Sequence, residues 1–588
     1  MRSFLARHRV ALACVVVAGS LFGLFWAASR LGGWRLTHRL DRAAQEAAAA
    51  CSAAWRATML ADGAALNDPD RFEALRSQAS AAGVAQGRAR FLAVADPVIS
   101  LASGSPQLRA VPQIGAHGGP GVSCAASYRI ASGRQDAQSG ELTAATELPP
   151  FAQVYLILDT SASMMVGATP DDQGKIAHWV AAHADRVLTK IDQSPCAFAC
   201  HDRESGPLSV SDLQQGEAVA HEVGATTRFD WMKRALANDP AQQRFCGGSD
   251  QIPCDFDELE GLLAHIRDKY GSTQALATFS YSLFGFNEGI GGDEPAETAL
   301  VQDVPDLSQY AVTSRTEVPD IAMAVNRLTI GLDTHLNPPV IGSNAAGKPH
   351  VAVLPALVDL VGPTRPDAGA APGNALKFVI IVTDGLSSDR TWNWGGRLAA
   401  LNRAHITGEA HPPPLPLMEY CRLWAGPAPV EHGRLLWQGG GSPSGECNNL
   451  GYGPSFWDGA AEPSRPYSGV NNVYYAQPLD PGYCARMKDN SGKPGPGVTV
   501  AVVETPYVPM NGQDPAFYPY EATVQRVIYP DGNPATHPGG GSTLSTALRA
   551  CASSPDYYFR AGEDSAITTG LVSLFDQFVA EHAPRPGS

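Results

Sequence analysis

Three stretches of the chain carry apolar side chains with no polar alternation: the first part of Val154–Ser163 (VYLILDTSAS), Lys377–Thr383 (KFVIIVT) and Val498–Glu504 (VTVAVVE). Short runs of β-branched and leucine residues of this kind predict strands buried on both faces, as inside a parallel sheet. Ala275–Phe286, ALATFSYSLFGF, supplies another central strand. Helical spacing appears in the intervals. Ile176, Trp179, Val180, Val187, Leu188 and Ile191 share roughly one face of Lys175–Ile191, and Leu571, Leu574, Phe575 and Phe578 form the apolar face of a closing helix. Tyr557-Tyr558-Phe559 reads as an edge strand. Buried strands separated by amphipathic helices predict an α/β fold with a mostly parallel sheet and helices on both faces.

The amino-terminal region follows different patterns. Val10–Ala28 holds nineteen residues without a formal charge, which predicts a single transmembrane anchor within residues 1–30. The small residues Ala27, Ala28 and Ser29 keep a cleaved signal peptide open as the alternative. Arginines flank the run on both sides, so the positive-inside rule does not choose an orientation. Residues 31–150 then predict an Ala-rich helix over Leu36–Leu75 and a small, mostly β segment from about Ala89 to Leu148, ended by Pro149-Pro150. The remaining 151–585 forms the α/β domain, with insertions at about 192–226 and 389–483, the second long, turn-rich and without clear periodicity.

Composition narrows the function. The chain has 588 residues and a formal charge of −15, which gives no electrostatic footprint for nucleic acid. With 59 Gly and 46 Pro it is loop-rich, which favours long insertions over a compact domain. Of eleven cysteines, Cys14 lies in the apolar run and the other ten are scattered through the rest. An even, dispersed set is best explained by disulfides in an oxidising compartment, so the bulk of the chain is expected to be extracytoplasmic.

The chemistry concentrates where the first strand ends. Asp159, Ser161 and Ser163 alternate in one extended turn and offer a carboxylate and two hydroxyls on one side. Magnesium takes near-octahedral oxygen coordination with one or two carboxylates and retained waters, and this set suits it. Taken alone, the same residues also read as a turn or a helix N-cap. A second acidic turn, Asp384-Gly385, closes the strand Lys377–Thr383.

These residues resemble the von Willebrand factor A domain, a Rossmann-like α/β fold. Its metal-ion-dependent adhesion site (MIDAS) joins D-x-S-x-S after the first strand to a threonine and an aspartate from later loops. Asp159, Ser161, Ser163 and Asp384 match it position by position. The apolar run leading into an Ala-rich helix, the Cys196–His201 stretch (CAFACH), Arg228–Leu236 (RFDWMKRAL) and the last hundred residues are similar to TadE/TadG-like proteins of tight-adherence (Flp) pilus systems. That resemblance covers most of 151–580. It implies a membrane-anchored pilus-assembly component, single-pass in a bacterial inner membrane with its bulk periplasmic. It further implies adhesion to a protein partner, a pilus or envelope component, through the partner's acidic side chain. The ion is Mg2+, or another divalent cation such as Mn2+ or Ca2+. For the remaining ligand it points to Thr334, with Ser343 as the alternative. The family's short Gly-Gly-Thr turn is absent, and Ala162 stands where the family often has glycine. Cys484 and Cys551 are a candidate disulfide pair, and Cys196, Cys200, Cys246 and Cys254 are further disulfide candidates whose connectivity stays open.

Other motifs point elsewhere and fall short. Cys196 and Cys200 are separated by three residues, where covalent haem attachment needs two. His178 and His183 lie five apart and do not share a ligating face. His221-Glu222 lacks the second histidine of a zinc-protease helix. His405, His411 and His432, with Cys421 and Cys447, are spaced too irregularly for a defined transition-metal site. With no G-x-S-x-G, H-E-x-x-H or P-loop, the chain reads as a binding protein and not an enzyme. A metal-dependent hydrolase and a structural module with a degenerate metal site remain the alternatives.

Overall fold

The computed structural model describes residues 2–95, 105–129, 141–161, 164, 166–182, 220–237, 260–270, 278–286, 325, 328, 353–393, 435–439, 471–488, 497–506, 543–562 and 564–582. They divide into two units, one made of 1–150 with 369–373 and 586–588, the other of 151–368 and 374–585.

In the first unit a long helix, α1 (Arg2–Ala61), turns through α2 (Gly63–Leu66) into α3 (Pro69–Val94). The single Ala-rich helix expected over Leu36–Leu75 is therefore a hairpin. The break is written in capping residues: Asp62 accepts from Ala65 N, Asp68 accepts from Asp70 N, and Pro69 occupies a first-turn position where its missing N–H costs nothing. α3 returns antiparallel along α1, since a Cβ on Gly83 would meet Cys51 O at 2.8 Å and one on Gly87 would meet Ala47 O at 2.8 Å. Ala89–Val94, expected in the β segment, belongs to α3, with Phe91 buried beside Leu40, Ala44 and Tyr128. Strands β1 (Gln107–Ile114), β2 (Pro120–Ser127) and β3 (Leu142–Glu147) form an antiparallel sheet in the order β1-β2-β3. A disulfide joins Cys51 of α1 to Cys124 of β2.

Among the described residues no helix is long and apolar enough to cross a membrane. This overturns the single-pass anchor expected at Val10–Ala28, and the inner-membrane localisation with it. The apolar run is part of one continuous helix, Arg2–Ala61.

The second unit is mixed α/β around a five-stranded sheet in the order β11-β10-β6-β4-β5. The strands are β4 (Ala152–Asp159), β5 (Phe279–Phe286), β6 (Leu376–Thr383), β10 (Thr499–Glu504) and β11 (Tyr558–Arg560), and every neighbouring pair is parallel. Val154, Leu156, Ile157, Phe378, Ile380, Val382, Val500 and Val502 are at most 1% exposed, which accounts for the unbroken apolar runs. Tyr558–Arg560 sits at the sheet edge. Helices pack in two groups: Asp564–His582 with Arg228–Leu236 and Gly261–His265, and Pro481–Lys488 with Thr543–Cys551 and Val353–Val361. In the first group Phe578 stacks on Phe378 of β6 at 4.2 Å between centroids. In the second, Cys484 and Cys551 form a disulfide. Helix α4 (Pro170–Ala182) begins five residues before the expected Lys175.

The insertion that looked irregular contains a second sheet, antiparallel, of β7 (Leu386–Asn393), β9 (Asn471–Pro478) and β8 (Leu435–Gly439), in the order β7-β9-β8. Its strands lie tens of residues apart among prolines and glycines, so no local periodicity announces their pairing.

Candidate functional site

Strand order fixes where a crevice opens. From β4 the chain crosses to β5 on one side; β6 then pairs on the other side of β4 and leads on to β10 and β11. Connections leaving the carboxyl ends of β4 and β6 therefore diverge, and in open α/β sheets ligands bind at such a switch point. Asp159 is the last residue of β4, and Asp384 follows the last residue of β6.

The two loops are sewn together through Asp159. Its Oδ1 accepts from Ser161 N at 3.0 Å and from Ser161 Oγ at 2.6 Å. Its Oδ2 accepts from Thr383 Oγ1 at 2.6 Å. Thr383 Oγ1 in turn accepts from Gly385 N at 2.9 Å, and Asp384 Oδ1 accepts from Leu386 N at 3.0 Å. Both hydroxyls spend their protons on Asp159, so what they retain for a further partner is lone-pair density. The tight turn after Asp384 uses Gly385 at φ +77°, a left-handed conformation that glycine adopts without strain.

Neither carboxylate reaches solvent: Asp159 is 0% and Asp384 1% exposed. Burial pushes the Asp159 carboxyl up to about 7; the nearby charge of Asp384 adds to that rise, and the hydrogen bonds from Ser161 and Thr383 work against it. Asp384 has a cationic partner. Arg228 Nη1 lies 3.2 Å from Asp384 Oδ2, both side chains being buried. Arg228 opens the Arg228–Leu236 helix, whose start is fixed by a capping box between Thr227 and Asp230, and Arg228 N donates to Val166 O at 3.2 Å.

Of the residues expected at a metal site, Asp159, Ser161 and Asp384 are thus brought to one sheet edge. Ser163, Thr334 and Ser343 lie outside the described residues, as do Cys196, Cys200, Cys246 and Cys254. Among the described residues there is no cluster of three or more His, Cys, Asp or Glu side chains suited to a metal. A magnesium-type ion does not need one, since two carboxylates with hydroxyl oxygens form a hard donor set. The donor chemistry fits a divalent cation. Reading the sequence missed two participants, Thr383 and Arg228. Thr383 could have been found as the hydroxyl residue directly before Asp384; Arg228 carries no local signal, because its contact spans 156 positions.

No protein-family model matches the chain, and a comparison with curated proteins gives no match. Among solved structures, 82% of the chain overlaps 80% of an alanine mutant of the PilB minor pilin from Streptococcus sanguinis, at 11% identity and a TM-score of 0.27. For the PilB minor pilin itself the values are 80%, 78%, 10% and 0.25. The pilus adhesin SpaC from Lactobacillus rhamnosus GG is matched over 82% of this chain and 35% of its own, at 11% identity and a TM-score of 0.25. All three are pilus proteins, but TM-scores this low carry no argument about the fold or function of this chain.

Proposed function

We propose that this chain binds a protein partner through a divalent cation held at the carboxyl ends of β4 and β6, as a von Willebrand factor A domain does through its MIDAS, and that it serves a tight-adherence pilus apparatus. The observation that supports this reading is the joining of Asp159, Ser161, Thr383 and Asp384 at the switch point of the sheet. Asp159 and Ser161 would hold the ion with Asp384, and Ser163 with Thr334 or Ser343 would complete the set. Thr383 keeps Asp159 oriented by its hydrogen bond. A bound cation supplies positive charge that a partner's carboxylate can meet, because a magnesium-type site keeps positions for water or ligand. The pilus role rests on the residue resemblance over 151–580.

Calorimetric titration of the purified chain with magnesium chloride tests the site. Binding that is lost in Asp159→Ala supports it; absence of heat from a folded wild-type protein rejects it. A second reading, a structural module in which Arg228 balances Asp384 with no metal, is favoured by their buried ion pair and is what the second outcome would leave. Crosslinking in cell extracts of wild type and Asp159→Ala then tests the partner, which should be recovered with the wild type only.

A further inference from the structure

Arg228 is positioned by its own helix rather than by the site it serves. In the capping box, Asp230 N donates to Thr227 Oγ1 at 3.0 Å and Thr227 N donates to Asp230 Oδ2 at 2.9 Å. On its outer side Asp230 also meets His221 Nε2 at 3.1 Å. The Arg228 N–H bond to Val166 O ties the helix start to the segment that follows β4 in sequence. The guanidinium is therefore delivered to Asp384 from a capped helix start, with 1% of its side chain and 0% of that of Asp384 exposed.

Two buried carboxylates meet at this point: Asp159 is hydrogen-bonded to Thr383, the residue before Asp384, and the Arg228 guanidinium faces Asp384. Arginine stays charged under all working conditions. Removing it would break a buried ion pair, which is far more costly than losing an exposed one. An incoming divalent cation would find Asp384 already engaged at Oδ2 by Arg228 and at Oδ1 by Leu386 N.

We infer that Arg228 is a built-in counter-cation of this site: it holds Asp384 while no metal is present, and a divalent ion enters by drawing Asp384 away from it. The inference rests on the metal-site reading above. It keeps Asp384 engaged before metal arrives, and it lowers the affinity. Apparent metal binding is weakened by the fraction of molecules in which Asp384 is not yet released.

The test titrates full-length wild type and Arg228→Gln with magnesium chloride after chelator treatment, with circular dichroism confirming the fold. Arg228→Gln is expected to bind magnesium on the order of tenfold more tightly than wild type, and its unfolding temperature should rise more on adding magnesium. Wild-type binding with equal or weaker affinity in Arg228→Gln overturns the inference and leaves the metal site standing. No heat in either protein overturns both. Should Arg228→Gln fail to fold, the Arg228 Nε–H resonance of the wild-type chain, assigned by its loss in Arg228→Lys, is followed instead. A shift on adding magnesium supports the competition, and an unchanged resonance at saturating magnesium overturns it.

Discussion

Thr383 Oγ1 donates to Asp159 Oδ2 at 2.6 Å across 224 positions of sequence, joining the ends of two adjacent parallel strands. Thr383→Val keeps the shape and removes the hydroxyl, leaving a buried carboxylate oxygen one donor short. The expected loss is about 1–3 kcal/mol of stability, read from urea unfolding in chelator, and Thr383→Ser should restore most of it. An unchanged midpoint in Thr383→Val would show that the contact contributes nothing.

Gly385 tests the turn beside it. Its φ is +77°, and a Cβ there would meet Cδ1 and Cγ of Leu548 at 2.8 Å. Gly385→Ala should cost about 1–2 kcal/mol for the left-handed backbone, with overpacking in addition. Leu548→Ala in the same chain relieves the crowding and not the backbone term. If Gly385→Ala melts like wild type, the turn is not held as described.

The Cys484–Cys551 disulfide connects two helices of one group, and both cysteines are 0% exposed. Replacing both by alanine should lower stability by about 2–4 kcal/mol. The readout is denaturant unfolding under non-reducing conditions, and a double variant as stable as wild type would contradict it.

Asp576 gives an acid-sensitive prediction. Its carboxylate lies 2.8 Å from His265 Nε2, 2.6 Å from Tyr270 OH and 2.5 Å from Lys269 Nζ. Burial alone would raise its pKa, but the hydrogen bonds from Lys269, Tyr270 and His265 together hold it below the ordinary aspartate value. A group depressed in the folded state contributes stability above its unfolded pKa of roughly 3.9, and that contribution is lost as pH falls through the folded value. Urea midpoints taken from neutral pH downward should therefore fall on the acid side for wild type and less steeply for Asp576→Asn. Parallel curves would remove Asp576 from the account.

What the sequence made legible was local. An unbroken apolar run ending in a carboxylate marks a buried strand and its loop within ten residues, so β4 with Asp159 and β6 with Asp384 could be placed by inspection. The α1–α3 hairpin was legible in principle through Asp62, Asp68 and Pro69, but high alanine content drowned those punctuation marks. The long-range partners were not legible. Arg228 sits among ordinary helix residues, and Cys51 and Cys124 belong to a helix and a strand whose proximity only tertiary packing creates. The apolar amino-terminal run failed for another reason: length and absence of charge describe a span, yet they do not establish one.

The Cys51–Cys124 bond has a mechanical corollary. Tension entering the backbone before Cys51 and leaving after Cys124 travels through sulfur and bypasses a separation of 73 positions. At extended-chain spacing that is on the order of 250 Å of contour that cannot be paid out under load until the bond is reduced. α3 lies inside the closed loop and is spared the pull.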